Sequence, residues 1–161
     1  MNKILTIEQA IKEGENIRRK GKTIVLVGGC FDILHIGHIT FLEKAKAAGD
    51  TLFVFLESDE SIKKLKGENR PINNQENRAK ILAALTPVDY VILLPTHLKD
   101  LDYEQMIIQI KPAIIATTQG DVRRKNKERQ AALINCRIIE VTNYIRDQST
   151  TRLVKLLGKE L

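Results

Sequence analysis

Two histidines, His35 and His38, stand three residues apart with Gly37 between them, inside the stretch 28–46, GGCFDILHIGHITFLEKAK. The first backbone N–H groups of a helix point outward unpaired and favour anions. Two imidazoles beside such donors make a cradle suited to a polyphosphate, and Gly37, lacking a side chain, lets a ligand approach the backbone closely. The plainer assignment packs His35 in the core and has His38 cap the helix. Three further groups suit phosphates or their surroundings. Lys63, Lys64, Lys66 and Arg70 lie in the polar segment 58–74. Lysine is a mobile point charge able to follow charge between phosphates, although a lysine run is more often a solvated face. Ser149, Thr150 and Thr151 open a helical pattern, where hydroxyls and free N–H groups suit an anion and Ser149 also suits an N-cap. Asp32 follows a Gly-Gly-Cys-Phe turn, a place where a carboxylate bonds nearby backbone N–H groups.

These groups need elements that bring them to one edge. Thr23 to Gly28 is apolar and β-branched, the pattern of a buried strand. The helix bearing the histidines follows, with Ile39, Phe41, Leu42, Ala45 and Ala48 at helical spacing. Ahead of both, Thr6 to Lys20 predicts a helix with Thr6 as N-cap, ended by Gly21. Further strands are expected at Thr51–Glu57, Val88–Leu94, Pro112–Ala116 and Arg137–Val141. Helices are expected at Gln75–Leu85, Asp102–Lys111 and Ser149–Leu157, with the last turns of another over Arg129–Asn135. Segment 58–74 reads as a loop or short helix that ends irregularly, and 117–128 as a polar, basic stretch. The alternation predicts an α/β fold, a Rossmann-like doubly wound parallel sheet of five strands with helices on both faces. Active residues should then gather outside the carboxyl ends of the strands, where strand order reverses.

The chain has 161 residues, 43% hydrophobic and 29% charged, the balance of an ordinary soluble globular protein. A single domain over 1–161 is expected, with the N-terminal helix of 1–21 packed on it. Charges interrupt every apolar run, which argues against a membrane partner. Glu8, Lys12, Glu13 and Glu15 break the first segment, so it does not read as a signal peptide. Cys30 and Cys136 are too few for a disulfide framework or a metal knuckle, and a cytoplasmic protein is expected. The net charge of +6 fits nucleic acid or small anions such as nucleoside triphosphates and sugar phosphates. Three tyrosines, four phenylalanines and no tryptophan argue against a single-stranded nucleic-acid surface.

Gly29-Cys30-Phe31-Asp32, followed by His35-Ile36-Gly37-His38, resembles the signature of the H-x-G-H nucleotidyltransferase superfamily. That group includes cytidylyltransferases, pantetheine-phosphate adenylyltransferase and ADP-heptose synthase. Residues 64–73, KLKGENRPIN, resemble KRLKGEGRPVN of the adenylyltransferase domain of ADP-heptose synthase. Glu76-Asn77-Arg78 matches the family's E-x-R, and Ser149-Thr150-Thr151 its second signature. The resemblance runs from about Lys22 to Leu157. It implies in-line attack by a substrate phosphate on the α-phosphorus of a nucleoside triphosphate, with His35, His38 and Lys66 stabilising the phosphate charge. It also implies a nucleotide site made of Gly29, Cys30, Phe31, Asp32, Gly37, Gly120, Asp121, Ser149, Thr150 and Thr151. Lys64, Arg70 and Arg78 are expected on the acceptor side, Arg78 either bracing the site or forming a helix-surface salt bridge. Mg2+ is expected on the triphosphate, held mainly by phosphate and water oxygens, and no residue is singled out as a metal ligand. ATP with a sugar 1-phosphate is the first pairing implied, and CTP with glycerol 3-phosphate the second. A non-catalytic nucleotide or RNA-binding protein on the same fold is the rival from another class. A homodimer is a candidate assembly.

The sequence also departs from the pattern. Asp147 stands where related enzymes carry glycine before S-T-T. The heptose enzymes have K-G-G-D-Y after the fourth strand, whereas this chain has Thr118-Gln119-Gly120-Asp121-Val122. Arg123, Arg124, Lys125 and Lys127 follow, and a contiguous basic run of this kind is expected in solvent. On that expectation the positive charge missing at Thr118 is not replaced, and heptose 1-phosphate should be a poor acceptor.

Overall fold

The computed structural model describes residues 2–143 and 152–154. In chain order the elements are β1 (Ile4–Leu5), α1 (Ile7–Arg19), β2 (Ile24–Gly29), α2 (Ile36–Ala47), β3 (Thr51–Leu56) and α3 (Asp59–Lys66). They continue with α4 (Gln75–Ala83), β4 (Tyr90–Leu93), α5 (Asp100–Ile110), β5 (Ile114–Thr118), α6 (Arg124–Ala132) and β6 (Arg137–Thr142). Among the described residues the sheet has six strands in the order β1-β4-β3-β2-β5-β6, each neighbouring pair parallel. The expectation of five strands is corrected by β1, which pairs Ile4 with Val91 and Leu5 with Ile92. Two residues are too short to carry a strand period, so only their hydrogen bonds to β4 reveal them.

The central strands are buried on both faces, and their side chains alternate between two cores. Val25, Val27, Leu52, Val54 and Val91 point to one face, against Phe41, Leu42 and Ala45 of α2 and Ala79 and Leu82 of α4. Ile24, Leu26, Phe53, Phe55 and Ile92 point to the other, against Ala10 and Ile17 of α1 and Met106, Ile107 and Ile110 of α5. Thr6 caps α1 in a capping box with Gln9, as the sequence pattern required. Segment 58–74 begins as the short helix α3, with Ser58 as N-cap, and Gly67 ends it at φ +99°, a conformation suited to glycine.

The stretch 117–128 is corrected more substantially. It continues β5 to Thr118, turns at Gly120, and enters α6 at Arg124, so the basic run opens a helix instead of forming a loop, with Arg123 and Lys125 exposed. Three of its charges have carboxylate partners. Arg123 pairs with Glu57, Arg124 with Glu128 and Glu140, and Lys127 with Asp121. Residues 152–154 are helical, while the rest of the helix expected over Ser149–Leu157 lies outside the described residues.

Phe53 is fully buried at the centre of the sheet and meets Tyr90 edge-on at 5.3 Å. Phe53→Ala is expected to cost about 3–5 kcal/mol of stability, read from urea unfolding. A loss below about 1 kcal/mol would contradict this packing.

Candidate active site

Strands β2, β3 and β4 build the sheet in one direction and β5 and β6 in the other, so strand order reverses between β2 and β5. A crevice outside the carboxyl ends of the strands at that point is where open α/β sheets bind ligands. Gly28 and Gly29 end β2 there. A Cβ on Gly29 would lie 2.9 Å from Cε2 of Phe31, so the Phe31 ring closes over this glycine. Phe31 is buried and takes φ +44°, a strained conformation for an aromatic residue and one that concentrates at functional sites.

The carboxylate of Asp32, buried in the next position, collects donors from a segment forty residues away. It accepts from the backbone N–H groups of Ile72 and Asn73, each at 2.9 Å, and from Arg70 Nε at 2.7 Å. Burial pushes its pKa up, but the Asn73 and Ile72 N–H groups and the Arg70 guanidinium more than offset this, and the carboxyl sits below its ordinary value. Charge-assisted hydrogen bonds of this kind are the strong ones. They fasten the loop after α3, and with it the end of the helix that carries Lys66.

His35 is the N-cap residue of α2 and His38 lies in its first turn. Their rings stack with centroids 3.8 Å apart, and Phe31 tilts against His38 at 5.3 Å. Both Nδ1 atoms are buried without a hydrogen-bond partner among the described residues. Burial, then His35, then Lys66 push the pKa of His38 down to about 4. Burial and Lys66 also lower that of His35. Both imidazoles are therefore neutral at pH 7. A neutral imidazole keeps one N–H, so each can donate one hydrogen bond to a phosphate oxygen.

On the other side of Gly28 to Cys30, a cavity of about 680 Å³ opens between the ends of β2, β3 and β5 and helices α3, α5 and α6. Gly29, Cys30, Lys64, Lys66 and Asp121 line it; the two histidines do not. Lys66 faces both compartments, since it lines the cavity and depresses both imidazoles. Cys30 holds its proton, because burial raises its thiol further than Lys66 lowers it. Asp121 is tied to Thr117 Oγ1 and Lys127 Nζ, both at 2.6 Å.

Of the residues singled out in the sequence, the fold brings His35, Gly37, His38, Gly29, Cys30, Phe31, Asp32, Lys64, Lys66 and Asp121 to this crevice. Gly120 forms the turn ahead of α6 at φ +74°. Arg70 is buried on Asp32. Arg78 is fully buried and donates to the carbonyls of Cys30 at 2.6 Å, Glu57 at 2.8 Å and Asn73 at 2.9 Å, and to Asp59 at 2.8 Å. It braces the ends of β2 and β3 instead of forming an exposed helix-surface pair. Ser149, Thr150, Thr151 and Asp147 lie outside the described residues. Sequence reasoning missed Glu57 and Tyr103, which meet Arg123 in the cavity. One signal was available for Glu57: an acid closing the otherwise apolar run TLFVFLE at the carboxyl end of a buried strand. Among the described residues no helix is long and apolar enough to cross a membrane, and no three His, Cys, Asp or Glu side chains converge on a metal position.

The histidine pair predicts a pH dependence of stability. The unfolded chain binds a proton at His38 near pH 6.5, whereas the folded chain does so only near pH 4. The folded state therefore binds fewer protons in this window, and stability should fall as pH drops from about 6.5 towards about 4. In His38→Gln that slope should shrink, as read by thermal unfolding at stepped pH. Identical slopes in both proteins would exclude a buried neutral His38.

Comparison with known proteins agrees with this geometry. Residues 26–155 match the family model described as cytidylyltransferase-like. The chain is 41% identical to the Bifunctional protein HldE of Aliarcobacter butzleri (strain RM4018), over 94% of this chain and 30% of that protein. It is 40% identical to the protein of the same name from Wolinella succinogenes, over 95% of this chain and 31% of that protein. The chain thus spans about a third of the length of these curated relatives. A crystal structure of the lipopolysaccharide core biosynthesis protein from Thermoplasma volcanium superposes with a TM-score of 0.64 at 31% identity, covering 77% of this chain and 99% of that one. Pantoate-beta-alanine ligase from Francisella tularensis, at 17% identity and a TM-score of 0.62 over 97% of this chain and 76% of that one, shares the fold. The chain belongs to the cytidylyltransferase-like family.

Proposed function

We propose that the chain transfers the adenylyl group of ATP to a sugar 1-phosphate and releases pyrophosphate. The observation that carries this reading is the meeting of two compartments at Gly29, Cys30 and Lys66. A stacked, neutral histidine pair sits at the start of α2 on one side, and a cavity large enough for a sugar phosphate lies on the other. The triphosphate lies along the start of α2, where free N–H groups and the imidazoles donate to its oxygens. The acceptor phosphate approaches from the cavity. Its oxygen bonds to the α-phosphorus while the bond from that phosphorus to the bridging oxygen breaks, and pyrophosphate leaves with the electron pair. No covalent enzyme intermediate is needed, so the chain's contribution is positioning and charge stabilisation. Lys66, exposed at the end of α3, is free to follow charge towards the leaving pyrophosphate.

Mg2+ bound to the triphosphate supplies charge neutralisation there. Asp32 is spent on backbone donors and Arg70, so the ion would be held mainly by phosphate and water oxygens. Arg123 and Lys127 also line the cavity, paired with Glu57 and Asp121, and Lys64 and Lys66 supply positive charge there for a sugar 1-phosphate. The match to a cytidylyltransferase-like model favours a second reading, CTP with glycerol 3-phosphate. We assign the activity to the cytoplasm, where such substrates are found.

Pyrophosphate release with ATP or CTP, each paired with heptose 1-phosphate or glycerol 3-phosphate, tests the pairing. Fastest turnover is expected with ATP and the sugar phosphate, and a preference for CTP would replace this reading with the second. His38→Ala should lower kcat by on the order of a hundredfold while the protein stays folded. Lys66→Ala should impair turnover more than Lys63→Ala, because Lys63 does not line the cavity. Equal, small effects from the two lysine substitutions would return Lys66 to a solvated face.

A further inference from the structure

Glu57 is the first residue beyond β3, and it is 4% exposed on the wall of a cavity whose other surfaces include Leu26, Phe55, Ile107 and Ile115. An isolated carboxylate in such surroundings is costly. Here each oxygen carries one donor. Tyr103 Oη from α5 donates to Oε2 at 2.8 Å, and Arg123 Nη1 from the turn before α6 donates to Oε1 at 3.0 Å. All three side chains line the cavity. Burial and the Glu57 charge push the Tyr103 hydroxyl well above its ordinary value, so it keeps its proton. Burial works against the Arg123 charge, but Glu57 outweighs it and the guanidinium stays charged. Glu57 and Arg123 thus form an ion pair with the phenol on the second carboxylate oxygen.

Its unused valences set what it can recognise. A carboxylate accepts about four hydrogen bonds and two are taken. The guanidinium has further N–H groups, and the phenol oxygen can still accept. Acceptors and donors thus alternate within a few ångströms of one another. A hydroxyl group both donates and accepts, so neighbouring hydroxyls on a carbon chain or ring match this arrangement. An ammonium group does not: Glu57 is already neutralised, and a second cation would be brought against Arg123.

We propose that Glu57, held by Tyr103 and Arg123, is the specificity-determining group of the acceptor cavity and reads the hydroxyls of a polyol phosphate that carries no ammonium group. The inference rests on the nucleotidyltransfer reading above and adds to it which residues choose the acceptor. It differs from a purely structural tie between β3, α5 and α6. A tie would lower stability and disturb both substrates alike, whereas a reader of hydroxyls affects the acceptor alone.

The test uses the whole chain and the variants Tyr103→Phe and Glu57→Gln. The first removes one hydroxyl at constant ring packing, and it keeps the question open to experiment if the second unfolds. Steady-state pyrophosphate release with ATP is measured against heptose 1-phosphate, mannose 1-phosphate, glycerol 3-phosphate and ethanolamine phosphate. Binding of each phosphate to the ATP-free protein is measured by calorimetry. Each variant is expected to raise the acceptor KM by about tenfold or more, with the ATP KM unchanged within about twofold. Ethanolamine phosphate is expected to be the poorest acceptor of the four. Unchanged acceptor KM, parallel changes in both KM values, or a preference for ethanolamine phosphate would overturn the proposal while leaving the reaction standing. Polyol phosphate binding that depends on Tyr103, without pyrophosphate release from any pair, would uphold the cavity's selectivity and overturn the reaction. Neither binding nor turnover with any polyol phosphate would sink both.

Discussion

The buried carboxylate of Asp32 is the interaction on which the site depends. Its backbone follows β2 and leads into the histidine-bearing helix, while its oxygens hold Arg70 and the N–H groups of Ile72 and Asn73. Breaking one partner of a buried, hydrogen-bonded charge leaves the other uncompensated, so the contact tolerates little change. The result is that two segments far apart in the chain, 28–38 and 64–73, cannot shift independently. Arg78 adds a second bond between the same regions, through the carbonyls of Cys30, Glu57 and Asn73. Lys66 is thereby kept beside the histidines although its own side chain is exposed.

This division of labour explains why several cations of the chain are unavailable for substrate. Arg70 and Arg78 are buried and consumed by the framework, whereas Lys64 and Lys66 stay exposed on α3 and line the cavity. Arginine suits the first task, with a planar fork that satisfies several carbonyls and carboxylates at once, and lysine the second. The histidines show the same economy. Burial and Lys66 hold them neutral, so they serve as hydrogen-bond donors while the mobile lysine carries the positive charge.

The cavity beyond Gly29 depends on a different set of contacts, gathered from three elements. Glu57 reaches it from the end of β3, Tyr103 from α5 and Arg123 from the turn before α6. Its walls combine apolar side chains of the sheet with this hydrogen-bonded group and with charged side chains that include Lys64, Lys66 and Asp121. Strand order places both compartments at one switch point, which lets a phosphate in the cavity meet a triphosphate at the start of α2.

Much of this was legible in the chain itself. Apolar runs such as TIVLV and TLFVFLE fixed the buried strands, because burial on both faces demands continuous apolar sequence. His35-Ile36-Gly37-His38 after a strand marked the anion site, since the donors at a helix start follow from backbone geometry alone. Thr6 likewise announced its cap. Other features had no local signature. The pairing of β1 rests on hydrogen bonds to β4, eighty-odd residues away, and a two-residue strand has no period to read. The run from Arg123 to Lys127 reads as solvent-exposed in isolation. Two of its partners, Glu57 and Glu140, come from the end of β3 and from β6, and only the folded chain brings those carboxylates within reach. Tyr103 is one more apolar-face residue of a helix until the sheet sets it opposite Glu57. Periodicity and backbone chemistry are written locally; the pairing of charges across a cavity is decided by tertiary structure, because it depends on distances that sequence separation does not encode.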